Sequence, residues 1–233
     1  MKKIIKNIII FFIPIELFEY ARFEMKSKLG RLLSGGLKLN RINNNYLNLG
    51  CGDVYKDNFV NIDFFTNKKT DYGMDLRFPF KIESNSIDGI FTEHTFEHLS
   101  HQEVDNAISE CYRILKKNGI IRIIVPDLSI LFKRYCSNDN VWFQKWHDLV
   151  LNEPSRYYLK KHFTKMFAIN FTASYYFHKS CWDFESLEKI LSDHGFINIK
   201  KYDFNVGTSD LLIDRDSEDR KLVSIYVEGR KVY

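Results

Sequence analysis

Residues 119–127 read GIIRIIVPD, an apolar run interrupted by a single arginine. A strand that is hydrophobic on both faces of its pleat must be covered from both sides, which is the condition of parallel sheets with helices packed above and below. Three earlier runs have the same short apolar character: YLNLG at 46–50, NFVNIDF at 58–64 and SIDGIFTE at 86–93. Between the last of these and residue 119, HQEVDNAISECYRILKKNG sets Val104, Ile108, Cys111, Tyr112 and Leu115 at helical spacing, with lysines in the final turn and Gly119 as the stop. DFESLEKILSDHGF at 183–196 repeats the design, with Leu187, Ile190 and Leu191 inward and Gly195 ending it. FINIKKYDF and LVSIYVEGRK then read as a closing antiparallel pair. Strands alternating with helices predict a doubly wound α/β sheet.

Residues 128–182 break this rhythm and carry Trp142, Trp146 and Trp182 among many Tyr and Phe. They read as a helical, aromatic lid insertion at about 128–180, over the carboxyl edge of the sheet where open α/β folds bind ligands. At 233 residues, one large domain is expected. It is assigned to 41–233, after an N-terminal amphipathic helical segment at 1–40.

Charge separates that segment from the rest. Up to Arg41 there are nine Lys/Arg against three Glu, a balance of +6 in a chain whose total is +4. Its apolar run Ile8–Ile15 is broken by Pro14, and is short of the roughly 20 residues that span a bilayer. Glu16, Glu19 and Tyr20 stand where a signal peptide would need small residues. Two placements stay open: a helix packed on the domain or on a partner chain, self-association included, and an interfacial helix in which residues 1–33 contact an anionic leaflet through Lys2, Lys3 and Lys6. Cys51, Cys111, Cys136 and Cys181 form no C-x-x-C pair, which argues against a zinc ribbon or redox dithiol and for a cytoplasmic setting, at most at the inner membrane face. The slightly negative remainder, without a basic stripe, argues against nucleic acid as a partner.

Chemistry is concentrated at YLNLGCGD. A strand running into Gly50-Cys51-Gly52 lets the backbone turn sharply and approach a ligand. The next strand ends in Asp63, where a carboxylate can accept both hydroxyls of a ribose. Asp75 closes a third expected strand, and Asp88 reads as a turn residue.

In order, LNLGCGD, VNID, DLRFPF, NSIDGIFTEHTFEHL, ECYRILKKNGIIRIIVPD and LEKILSDHGF resemble the successive motifs of class I S-adenosylmethionine-dependent methyltransferases, and most closely a small bacterial subset associated with surface-polysaccharide loci. The resemblance covers about 46–127 well and 178–231 moderately. It implies a Rossmann-like, mostly parallel seven-stranded sheet with an antiparallel C-terminal strand pair, and S-adenosyl-L-methionine as cofactor. Gly50, Cys51 and Gly52 would line the methionine end, with Asn48 beside them where the family commonly has an acidic residue. Asp63 would hold the ribose, Asp75 or Leu76 would lie by the adenine, and Glu93 and His94 would face the sulfonium side. The chain departs from the pattern in Val54, which replaces a third glycine, and in the few residues between the glycine loop and the second strand. Parallel crossovers normally take a dozen or more, so the first helix is expected to shrink to a turn.

His94, Glu97 and His98 also spell H-x-x-E-H, the order of one class of zinc peptidases. Such a site needs an established helix and a third ligand, whereas this string starts at a strand end, so the two imidazoles need not share a face. The expectation is a post-strand loop and no metal. Methyl transfer to a hydroxyl calls for a base, and His94, Asp127 and His178 are the candidates because all three can reach the carboxyl edge. The implied activity is O-methylation of a sugar or surface-glycan precursor. The alternatives are N-methylation of a small or phosphorus-linked amine, which needs no strong base, and a non-catalytic binding module that keeps the cofactor fold.

Overall fold

A computed structural model describes residues 15–33, 35–37, 45–66, 68–152, 154–212 and 217–233. The elements are α1 (Ile15–Leu33), β1 (Tyr46–Leu49), β2 (Phe59–Asp63), β3 (Tyr72–Gly73), β4 (Ile87–Glu93), α2 (His101–Ile114), β5 (Leu115–Pro126), α3 (Leu128–Cys136), α4 (Asn140–Val150), α5 (Lys165–Ser174), α6 (Phe184–Asp193), β6 (Ile197–Tyr202), α7 (Glu218–Lys221) and β7 (Ser224–Arg230). One seven-stranded sheet runs in the order β3-β2-β1-β4-β5-β7-β6. β1 to β5 are parallel, while β7 inserts antiparallel between β5 and β6.

The central strands are buried because both faces are covered. Leu47, Ile62, Ile90, Ile121 and Ile123 belong to one core with Val104, Ile108 and Cys111 of α2 and Leu187 and Leu191 of α6. α2 starts at a capping box, Ser100 with Glu103, which satisfies two otherwise unpaired amides. It ends sooner than its sequence suggests. Leu115 has extended dihedrals and pairs with Ile87, so Lys116 and Lys117 lie in β5 rather than in the helix. Lys116 instead meets Asp88 at 2.8 Å. Likewise β3 is only two residues long, and Asp75 lies beyond it.

No helix joins β1 to β2. The crossover is held by asparagines: buried Asn48 donates to the Val54 carbonyl at 3.0 Å and to Asn61 Oδ1 at 2.9 Å, and Asn61 Oδ1 also accepts the Lys56 amide at 2.9 Å. Side chains thus supply the backbone partners that a helix would have provided.

The insertion comprises α3, α4, a 3-10 segment at Pro154–His162, and α5, and Leu131, Phe143, Trp146 and Ile169 give it a core of its own. Its aromatics therefore serve mainly packing. Over 15–33, the N-terminal segment is a helix packed on the domain: Phe23 stacks on Phe64 at 4.3 Å, and Glu24 pairs with Arg77. The basic start and the apolar residues 8–14 lie outside the described residues. Among the described residues no helix is long and apolar enough to cross a membrane, and all four cysteines are free thiols.

Candidate active site

β1, β2 and β4 lie side by side, with Leu49 opposite both Ile62 and Thr92. Their carboxyl ends therefore deliver Gly50, Asp63 and His94 to one edge of the sheet, where a cleft of about 2110 Å³ opens. Gly50 and Gly52 have φ of +70° and +51°, the left-handed region that glycine enters without a steric penalty. The Gly50 and Cys51 amides both donate to the Ile62 carbonyl, at 2.8 and 3.0 Å, and pin the turn to β2. The two glycines do different jobs. A Cβ at Gly50 would overlap the Thr95 side chain, so this position packs the loop after β4 against the loop after β1. A Cβ at Gly52 would meet no atom within 4 Å, and this glycine borders the open cleft.

Asp63 stands on the same wall. Its Oδ2 accepts the Gly52 amide at 2.9 Å and its Oδ1 accepts the Phe65 amide at 2.7 Å. An ionised carboxylate offers about four acceptor sites, so two amides fix its orientation and leave capacity for a ligand's hydroxyls. Leu76 gives the cleft an apolar surface. Neither Asn48, whose amide is spent on the crossover, nor the buried Cys51 side chain lines the cleft, and Glu93 is also absent from its wall.

Asp75 reaches the cleft but is committed elsewhere. It takes Arg77 Nη2 at 2.7 Å and Nε at 3.0 Å, the Ser27 hydroxyl, and Arg31 at 3.5 Å. Burial by itself would raise its carboxyl, but the bonds from Arg77 and Ser27 outweigh it and hold the group below its ordinary range. The carboxylate is thus an anchor for α1. With Arg77 paired to Glu24, Lys26 over Phe65 at 4.5 Å and Arg31 over the face of Phe78, α1 forms one wall of the cleft. Among the described residues, the expected lid contributes only Phe177 and Lys179. Cover from the N-terminal segment left no periodic signal toward the glycine loop, and the clue available was the run of Arg and Lys facing Asp75 and the aromatics after β2.

The three candidate bases separate. His94, at a φ of +48°, lines the cleft with Nδ1 3.1 Å from Glu97 Oε1 and Nε2 3.1 Å from Ser224 Oγ. Asp127 is not among the lining residues: its carboxylate caps α3 through the Ser129 amide at 3.0 Å and faces Lys201 at 3.3 Å. His178 sits behind the wall, with Nδ1 2.8 Å from the Thr172 carbonyl. Burial pushes its imidazole below the ordinary value, against the pull of Glu97. Glu97 is 2% exposed. Burial would raise its carboxyl, yet the bond to His94 and the nearby His98 and His178 lower it.

Residues 62–123, from the end of β2 through β4 and α2 into β5, match the family model for a methyltransferase domain. The matched segment contains Asp63 and His94, and the glycine turn bonded to Asp63 lies just before it. The match is to a methyltransferase domain and spans about a quarter of the chain. No curated protein matches the chain. Among solved structures it is similar to a SAM-dependent methyltransferase from Archaeoglobus fulgidus at 18% identity, over 94% of this chain and 100% of that one, with a TM-score of 0.47. A methyltransferase from Methanosarcina mazei is 14% identical over 84% of this chain and 99% of its own, with a TM-score of 0.48. The phosphoethanolamine N-methyltransferase 2 of Haemonchus contortus, solved with S-adenosyl-L-methionine, is 14% identical over 88% of this chain and 51% of its own, with a TM-score of 0.43.

Proposed function

We propose that the chain is an S-adenosylmethionine-dependent methyltransferase that acts on a hydroxyl of a sugar or surface-glycan precursor, with His94 as the proton acceptor. The observation that carries the reading is that His94, alone of the three candidate bases, lines the cleft, with a carboxylate behind its ring. A hydroxyl is a weak nucleophile and has to lose its proton as the new C–O bond forms, and an imidazole oriented by a carboxylate is suited to take it. The contact to Ser224 is the one His94 gives up in doing so.

S-adenosylmethionine, when bound, supplies a methyl group on a positively charged sulfur, which leaves as neutral S-adenosylhomocysteine. The chain's part is to bind, orient and exclude water. Gly52 leaves room beside the turn, Asp63 has acceptor capacity for the ribose hydroxyls, and Leu76 offers an apolar surface to the base. A sugar presents CH faces between its hydroxyls, which suits a wall containing Phe64, Phe65 and Phe78 with cations beside them.

The test uses methyl-labelled cofactor with nucleotide-sugar and glycan hydroxyls on one side and small amines on the other. Transfer to a hydroxyl acceptor is expected, with kcat lower by about 10²–10⁴ in His94→Asn, a variant that tolerates the positive φ. Transfer to amines only, or an unchanged kcat in His94→Asn, would reject the reading.

A further inference from the structure

Behind the cleft wall the 3-10 turn Phe96–His98 meets the segment in which the insertion rejoins the sheet. The Lys179 and Ser180 amides both donate to the Glu97 carbonyl, at 2.7 and 3.2 Å, and Ser180 Oγ bonds the Phe96 carbonyl at 3.2 Å. This stitching sets His178 against His98, ring centroids 4.8 Å apart, with Glu97 beside both. One ligand atom from each of Glu97, His98 and His178 lies within 4.8 Å of the other two.

Two features of this cluster go unexplained by packing. Glu97 Oε2 is buried and makes no hydrogen bond, while Oε1 takes His94. A buried carboxylate oxygen without a partner carries a desolvation cost that native structures normally offset with a donor or a cation. His178 points Nδ1 at the Thr172 carbonyl, which makes Nδ1 the protonated nitrogen and leaves Nε2 as a lone-pair donor. A metal-binding histidine is held in this way, with its second nitrogen tied to a carbonyl or carboxylate.

We propose that Glu97, His98 and His178 bind a divalent transition-metal ion, zinc by the nature of the donor set. Two imidazoles and a carboxylate form the three-ligand set of open zinc sites, and bonds of about 2.0–2.2 Å require the three ligand atoms to draw closer than the 4.8 Å within which they now stand. Three protein ligands leave a coordination position for water or an acceptor oxygen, and because His98 lines the cleft, the ion lies at its wall. The His94–Glu97 contact, with Ser224 beyond it, is then the outer layer that orients the carboxylate. The proposal uses Glu97 and His98 of the H-x-x-E-H string but replaces His94 with His178, which is remote in sequence. It stands independently of the reaction proposed above.

The test titrates Zn²⁺ into the full chain stripped by a chelator, with a competing chelator to read affinity and Co²⁺ to read the ligand set. One equivalent per chain is expected, and the cobalt form should lack a thiolate charge-transfer band. His98→Ala and His178→Ala should each weaken binding more than about 100-fold, beyond the range for loss of an outer-layer partner. The double variant Cys136→Ser/Cys181→Ser, which removes the two exposed thiols, should leave binding unchanged. Circular dichroism establishes that each variant is folded, and His178→Ala, behind the wall, backs up His98→Ala should either fail. Absence of stoichiometric binding, or binding retained in both folded histidine variants, overturns the proposal.

Discussion

The Asp63 carboxylate accepts the Gly52 amide at 2.9 Å, so the end of β2 and the turn after β1 form one rigid edge of the cleft. That bond closes the gap left by the missing crossover helix. It also aims Asp63 along the wall, because the Phe65 amide holds the other oxygen at 2.7 Å.

The two glycines of the turn should respond differently to alanine. Gly52→Ala strains a backbone at φ +51° but meets no neighbour, so it should cost about 1–2 kcal/mol of stability and chiefly weaken cofactor binding. Gly50→Ala adds to a comparable strain a Cβ that overlaps the Thr95 side chain, and should destabilise by more than about 3 kcal/mol. Denaturant midpoints and titration with S-adenosylhomocysteine measure the two effects separately.

Acid should loosen α1 from the domain. The Asp75 carboxyl is held below its ordinary value of 3.8 in the folded chain, so its contribution to stability is fully present above that value and is lost as pH falls through the lower, folded pKa. Asp75→Asn should therefore be less stable than the parent at pH 6 and show a shallower loss between about pH 4 and 2. Arg77→Met, which strands the buried carboxylate, should cost about 3 kcal/mol at neutral pH. Parallel slopes in the parent and Asp75→Asn would contradict the assignment.

Asp127→Ala should act on stability and not on chemistry. Removing the cap of α3 costs about 1 kcal/mol, while turnover under saturating substrate stays within about twofold of the parent, since the carboxylate is engaged by Ser129 and Lys201 away from the cleft. A hundredfold fall in kcat in the folded variant would return Asp127 to the list of bases.

The sheet was legible because its signals are local. A buried parallel strand is apolar on both faces, as Ile120 to Val125 is apart from Arg122, and α2 and α6 show their inward faces by spacing. Gly50, Gly52 and Asp63 were legible for the same reason, since each sits at a strand end. Partners distant in sequence were not. Arg122 looks like a blemish in an apolar strand until Glu228, 106 residues on, pairs with it at 2.9 Å in the buried sheet. Asp75 reads as a ligand contact until Ser27 and Arg31 arrive from α1. His178 reads as a base until its ring meets His98 and its nitrogen meets Thr172. In each case a polar group's role is set by which buried charge or donor the fold brings to it, and that choice leaves no period in the chain.

The most direct measurement of the cofactor site is calorimetric titration of the parent and of Asp63→Ala with S-adenosylhomocysteine. The parent should bind in the micromolar range, and Asp63→Ala, folded by circular dichroism, should bind at least about tenfold more weakly, a loss of about 1.4 kcal/mol. Equal affinity in the two proteins, or no binding by the parent, would contradict the site built from Gly52 and Asp63.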